Sequence, residues 1–214
     1  MSVAHFKELS LEVTHILRSS YKNPKTELNF DNPYQLVCAV IMAAMCTDKL
    51  VNKVTPNFFK RFPTPESLAE ADIEDIKSYI KSVNFFNNKA KSLSLMAKTL
   101  VGDFSSVVPN SMEKLLKLPG IARKSSNVIL NEVFDKAEGF VVDTHISRVS
   151  QRLGLTKEKN PVKIEKDLML VFHQKDWRFL SSALVLLGRY ICVARRPKCQ
   201  DCPLNQICPS AFKN

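Results

Sequence analysis

Glycine is scarce in this chain, with five residues in 214, at Gly102, Gly120, Gly139, Gly154 and Gly188. So few permissive backbone positions argue against an architecture built on many tight hairpins, and no segment shows strand-like alternation of apolar and polar residues. There is no tandem repeat and no low-complexity segment, and no apolar run approaches the ~18 residues of a membrane span. Residues 1–21 carry His5, Lys7, Glu8, Glu12, His15 and Arg18, which breaks up any signal-peptide core. These absences predict a cytoplasmic protein without a membrane partner, nucleoid-associated in a bacterium or nuclear in a eukaryote.

Helical periodicity is abundant instead, and it predicts an all-α chain. Phe6, Leu9, Val13, Ile16 and Leu17 line one face of a first helix, and Pro33 to Cys46 reads as a largely buried one. Further helical stretches are expected near 65–80, 88–101, 111–116, 123–134, 142–153, 162–172 and 177–191. The prolines at 24, 33, 56, 63, 65, 109, 161 and 197 are expected between helices or in their first turns, where a missing N–H costs little.

Four of the six cysteines crowd into the last part of the chain. Cys192, Cys199, Cys202 and Cys208 form a C-x6-C-x2-C-x5-C pattern. Such density points to metal ligands or disulfides, and a reducing compartment disfavours disulfides. Zinc sites usually pair two tight knuckles, whereas only Cys199 and Cys202 make one here; an iron–sulfur cluster tolerates wider spacing. Cys38 and Cys46 lie in an apolar stretch and read as buried thiols.

Charge is the other surplus. Thirty-one basic against 21 acidic residues give +10 and a pI near 9.4, which favours a polyanionic partner, nucleic acid first. The turn Leu118-Pro119-Gly120-Ile121-Ala122-Arg123-Lys124 joins two short helices. Its second helix would point free backbone N–H groups and the positive end of its dipole outward, an arrangement that grips phosphate without reading bases. Lys124 sits at that end beside Arg123; both features penalise an ammonium ion and favour the free amine that Schiff-base chemistry needs, unless Lys124 merely binds phosphate. Asp143, in Val141-Val142-Asp143-Thr144-His145, is either an N-cap or a functional carboxylate; His145 and His15 read as structural.

Leu118 to Asn127, Val142 to Ile146 and the terminal cysteines, with Thr47-Asp48, Val51-Asn52-Lys53 and Asn88-Lys89-Ala90, resemble the endonuclease III family of helix–hairpin–helix DNA glycosylase/lyases. The resemblance spans nearly the whole chain. It implies two helical domains flanking a DNA-binding cleft: a six-helix barrel with the hairpin at 24–137, and a cluster domain from 1–23 and 138–214. It further implies a [4Fe–4S] cluster on Cys192, Cys199, Cys202 and Cys208, with Lys124 as catalytic nucleophile and Asp143 as its acidic partner. Gly120, Ala122 and Arg123 would meet DNA phosphates, as would Arg195, Arg196 and Lys198 between the first two cluster ligands. The implied partner is double-stranded DNA with damaged bases or abasic sites, bound by a monomer, and the implied reaction is excision of oxidised pyrimidines followed by β-elimination 3′ to the site. A monofunctional thymine/uracil mismatch glycosylase and a non-catalytic DNA-binding remnant are the alternatives.

Three segments depart from the family pattern. Ala122 stands where many members have a second glycine, and Met45, in Ala44-Met45-Cys46, where they have a glutamine that fills the gap left by a flipped nucleotide. Val83-Asn84-Phe85-Phe86 replaces the segment bearing an apolar wedge, a role Phe85 can still fill.

Overall fold

A computed structural model describes residues 3–213, and among these there is no strand. The helices are α1 (Val3–Ser20), α2 (Pro33–Ala43), α3 (Asp48–Arg61), α4 (Pro65–Ala69), α5 (Ile73–Ile80), α6 (Phe86–Phe104), α7 (Met112–Leu115), α8 (Arg123–Val133), α9 (Thr144–Arg152), α10 (Pro161–Val171) and α11 (Gln174–Tyr190). A single 3-10 turn follows at Cys199–Asp201. The chain is all-α, as its periodicity predicts.

Three local differences have physical causes. The structure corrects the placement of Pro56 between helices, because Pro56 lies inside α3. Thr47 caps that helix by accepting from Leu50 N, and Val51, Val54 and Phe58 bury one face of it. An interior proline costs about 3 kcal/mol, and each large apolar side chain buried returns about 1.5–3 kcal/mol, so the helix runs through. The stretch 65–80 is two helices, since Asp72 accepts from Glu74 N and starts α5 anew. α2 stops at Ala43 rather than Cys46 because Met45 adopts a left-handed backbone, with φ 55°.

The chain divides into two compact units. Glu27–Phe134 carries α2 to α8 around a core in which Leu36, Phe58, Phe62, Leu68, Leu93 and Met96 are wholly buried. α6 is the hub of this unit, packing against α2, α4 and α5. The second unit joins residues up to Thr26 with those from Asp135 onward. Here Val13 and Leu17 of α1 share a core with Ile146, Leu168, Leu184 and Leu187. α9 lies tightly on α11: a Cβ at Gly188 would come within 2.8 Å of His145 Cβ, so only glycine permits the approach. The outer limits expected for the cluster domain, residues 1 and 214, lie outside the described residues.

Candidate active site and cluster pocket

The hairpin is anchored by the buried Leu118 and Ile121, and Ile121 N donates to Leu118 O at 3.1 Å to close the turn. Gly120 has φ +84°, and a Cβ there would sit 2.9 Å from Ser92 Cβ on α6. Glycine is required twice over, by backbone conformation and by contact. Ala122 is the N-cap of α8 with φ −109°, ordinary extended backbone, so the alanine in place of a second glycine costs the turn nothing. Its methyl supplies no capping oxygen to the first turn of α8. Arg123 and Lys124 are exposed at this positive helix end.

Asp143 is the N-cap of α9, and its Oδ1 accepts from His145 N and Ile146 N, both at 2.8 Å. One carboxylate oxygen therefore takes both capping bonds and Oδ2 takes neither, while the side chain is half-buried. Capping thus fixes the carboxylate's direction while leaving an oxygen for chemistry. His145 Nδ1 accepts from Arg148 Nη2 at 3.2 Å.

Met45 and Phe85 are both exposed, at 80% and 66%, and both hold left-handed backbones, φ 55° and 58°. A non-glycine residue there costs about 1–3 kcal/mol. Asn84 Nδ2 donates to Met45 O at 2.9 Å. Lys89, almost wholly buried, donates from Nζ to Met42 O at 2.7 Å and to Ala44 O at 2.5 Å. Burial pushes its ammonium below the ordinary lysine range, with Cys46 acting in the opposite direction.

The four terminal cysteines line one cavity together with Arg152, Lys198 and Asn205. All are free thiols. Among the described residues no three His, Cys, Asp or Glu side chains gather closely enough for one metal ion. Four thiolates lining one cavity can hold a polynuclear iron–sulfur cube, as they can a single zinc. Burial pushes the Cys202 and Cys208 thiols up, and the other cysteines of the set add to this; iron reverses that penalty by taking thiolates. The donor set therefore fits the cluster.

The loop around the cavity is held from α9. Arg152 Nη1 donates to Cys192 Sγ at 3.3 Å and to Val193 O at 2.8 Å, and its Nη2 to Ala194 O at 3.0 Å. Arg148 Nε donates to Cys192 O at 2.9 Å and its Nη2 to Gly188 O at 2.7 Å. Asn205 Nδ2 donates to Cys199 O at 3.1 Å, and Lys198 N to Ile191 O at 3.0 Å. Arg195, Arg196 and Lys198 project exposed from this loop. Sequence reasoning passed over Arg148 and Arg152; their spacing of one helical turn was the available signal, but their acceptors are visible only in three dimensions. It also left Lys89 within a motif and gave it no role.

An all-helical chain with a Pro-Gly hairpin and a four-thiol pocket defines a class, and the comparisons agree. Residues 38–174 match the family model described as "HhH-GPD superfamily base excision DNA repair protein". Residues 192–208 match the "Iron-sulfur binding domain of endonuclease III". Endonuclease III of Synechocystis sp. is 44% identical over 209 residues, covering 98% of this chain and 95% of that protein. A structure of a non-covalent endonuclease III–DNA complex superposes with TM-score 0.90 at 32% identity, covering 97% of each chain. A trapped endonuclease III–DNA covalent intermediate superposes with TM-score 0.89 at 31% identity, covering 100% of this chain and 98% of that one.

The chain belongs to the endonuclease III family. It is a base excision repair DNA glycosylase and AP lyase, its partner is DNA, and its cofactor is a [4Fe–4S] cluster. Among the described residues no helix is long and apolar enough to cross a membrane.

Proposed function

We propose that this chain removes oxidised pyrimidines from duplex DNA through an imine on Lys124 and then cuts the strand 3′ to the abasic site. The observation that carries the reading is an exposed amine in the first turn of a helix whose N-cap, Ala122, brings no oxygen of its own, directly after a glycine-dependent hairpin. Amides around Gly120, Ala122 and Arg123 hold phosphate at the positive end of the helix dipole. A damaged nucleotide must leave the stack to react. Met45 and Phe85 occupy the space it vacates, apolar contacts serving where a glutamine would donate hydrogen bonds.

The base departs with the glycosidic electron pair, and Asp143 stabilises the positive charge developing on the sugar. The Lys124 lone pair forms the bond to C1′, and loss of a proton and ring opening give the imine. The imine acidifies the adjacent C2′ protons; removal of one expels the 3′ phosphate. Cys192, Cys199, Cys202 and Cys208 would hold the cluster, which would supply a covalent frame for the loop. Arg195, Arg196 and Lys198 bind backbone phosphates from the loop so framed. Glu27–Phe134 acts as the barrel domain and the remainder as the cluster domain, in a cytoplasmic monomer.

Borohydride trapping on duplex DNA with one abasic site tests this. A covalent adduct from native protein, absent in Lys124→Ala with normal cluster absorbance, is the expected result. No adduct from cluster-loaded native protein would reduce Lys124 to phosphate binding and make the enzyme a monofunctional glycosylase.

A further inference from the structure

Two exposed apolar side chains on strained backbone need an explanation for how they stay in place. Met45 follows the C-terminus of α2, and Phe85 is the N-cap of α6 without a side-chain cap of its own. Lys89 lies in the first turn of α6, where its backbone N makes the ordinary helical bond to Phe85 O at 3.1 Å; its ammonium donates to Met42 O and Ala44 O, the carbonyls leading into Met45, and so ties the start of α6 to the end of α2. α2 has no basic residue in its own last turn, so Lys89 also brings the only charge that complements this helix end from within the described contacts. Asn84, next to Phe85, closes the arrangement through Met45 O. Among the described residues no carboxylate forms an ion pair with Lys89.

A buried lysine without an acid is expensive unless its donors are used. Here two of them are spent on carbonyls at the end of α2 and just beyond it, and an apolar residue of the same length would fill the space more cheaply. We propose that Lys89 is a positioning residue, seconded by Asn84, that clamps Met45 and Phe85 into one rigid two-pronged wedge for opening duplex DNA. The inference rests on the assignment of Met45 and Phe85 to the space left by the extruded nucleotide. It adds the device that makes two separate loops act together: the clamp holds the strained backbones before DNA arrives, so that binding energy is not spent on ordering them.

The test places 2-aminopurine opposite a tetrahydrofuran abasic analogue in duplex DNA and reads its fluorescence on binding. The protein is full-length and cluster-loaded and carries Lys124→Ala, so the result does not depend on imine chemistry. With Lys89 present, fluorescence should rise as the wedge unstacks the probe. Adding Lys89→Met should cut the rate of that rise by about tenfold to a hundredfold, because the wedge must then be ordered on the DNA, while duplex affinity stays within a few-fold. Adding Lys89→Arg should restore most of the rate, since guanidinium donors can reach the same carbonyls. A Lys89→Met protein with an unchanged rise overturns the inference, as does one that loses affinity and fluorescence together without rescue by arginine, because that marks a residue needed only for folding. If Lys89→Met does not fold, the exposed Asn84→Ala decides: a slower rise supports the clamp and an unchanged one overturns it. No fluorescence rise with Lys89 intact sinks the wedge assignment and the clamp with it, leaving the Lys124 chemistry untouched.

Discussion

Two loops of this enzyme present side chains to the outside in fixed positions, and they are held by different means. The α2–α3 loop with Met45 hangs on a thick core: α2 is buried from Tyr34 to Met42, and a single ammonium secures its last carbonyls. The loop from Cys192 to Cys208 has almost no core, since Leu204 is its only fully buried side chain. One leucine contributes about 1.5–3 kcal/mol, far too little to order the segment at about 1–2 kcal/mol per residue. Two arginines from α9 take over part of that work, and thiolate ligation of the cluster would supply the rest. Where apolar burial is plentiful, a few hydrogen bonds suffice to shape a loop; where it is absent, covalent metal ligation substitutes for it.

The comparison can be broken at its strongest point first. Cys199→Ala should abolish cluster absorbance and unfold the C-terminal loop, with duplex binding lost, while the helices of Glu27–Phe134 persist; visible absorbance together with proteolysis at Arg195 and Arg196 would register both. Arg152→Met should keep the four ligands but lose three donors to the loop, lowering stability by about 2–4 kcal/mol and speeding cluster loss in air, measured as the decay of visible absorbance. An equally stable cluster would mean that the metal alone shapes the loop.

On the other side, Gly120→Ala should destabilise Glu27–Phe134 by about 1–3 kcal/mol, since it combines φ +84° with a 2.9 Å contact on Ser92. Urea unfolding would measure this, and Ser92→Gly should recover the steric part alone. The smallest effect concerns Lys89. Its folded-state pKa lies below the unfolded value, chiefly through burial, so between the two values the unfolded chain binds more protons and stability should rise with pH. Native protein should therefore gain on Lys89→Met as pH climbs through the folded pKa toward the ordinary lysine value near 10.4. A flat difference in urea midpoint over that range would show that burial costs the ammonium nothing.

Most helices were legible because their apolar residues recur at helical spacing, and periodicity survives whatever the neighbours do. α3 was not, because Pro56 reads as a break to any local rule, and only the burial of Phe58 and Val51 decides otherwise. The end of α2 was misplaced for a related reason: Ala44-Met45-Cys46 has good helical residues, yet Lys89 and Asn84, far away in sequence, hold it in a turn. The hairpin glycine was readable from Pro119-Gly120, whereas its second justification, Ser92, was not. Ala122 looked like a defect beside a glycine pattern and turns out to need no special backbone.

Residue type and spacing along the chain were enough for helicity and for the four-thiol pattern, because each is a local chemical property, and they nominated Lys124 and Asp143 as the amine and carboxylate of the proposed reaction. Only tertiary structure decided that one oxygen of Asp143 is spent on capping, that α9 sends Arg148 and Arg152 to the cluster loop, and that a buried lysine of α6 donates to the carbonyls leading into Met45. Hydrogen-bond partners many residues apart are chosen by packing, and packing is a property of the folded chain as a whole.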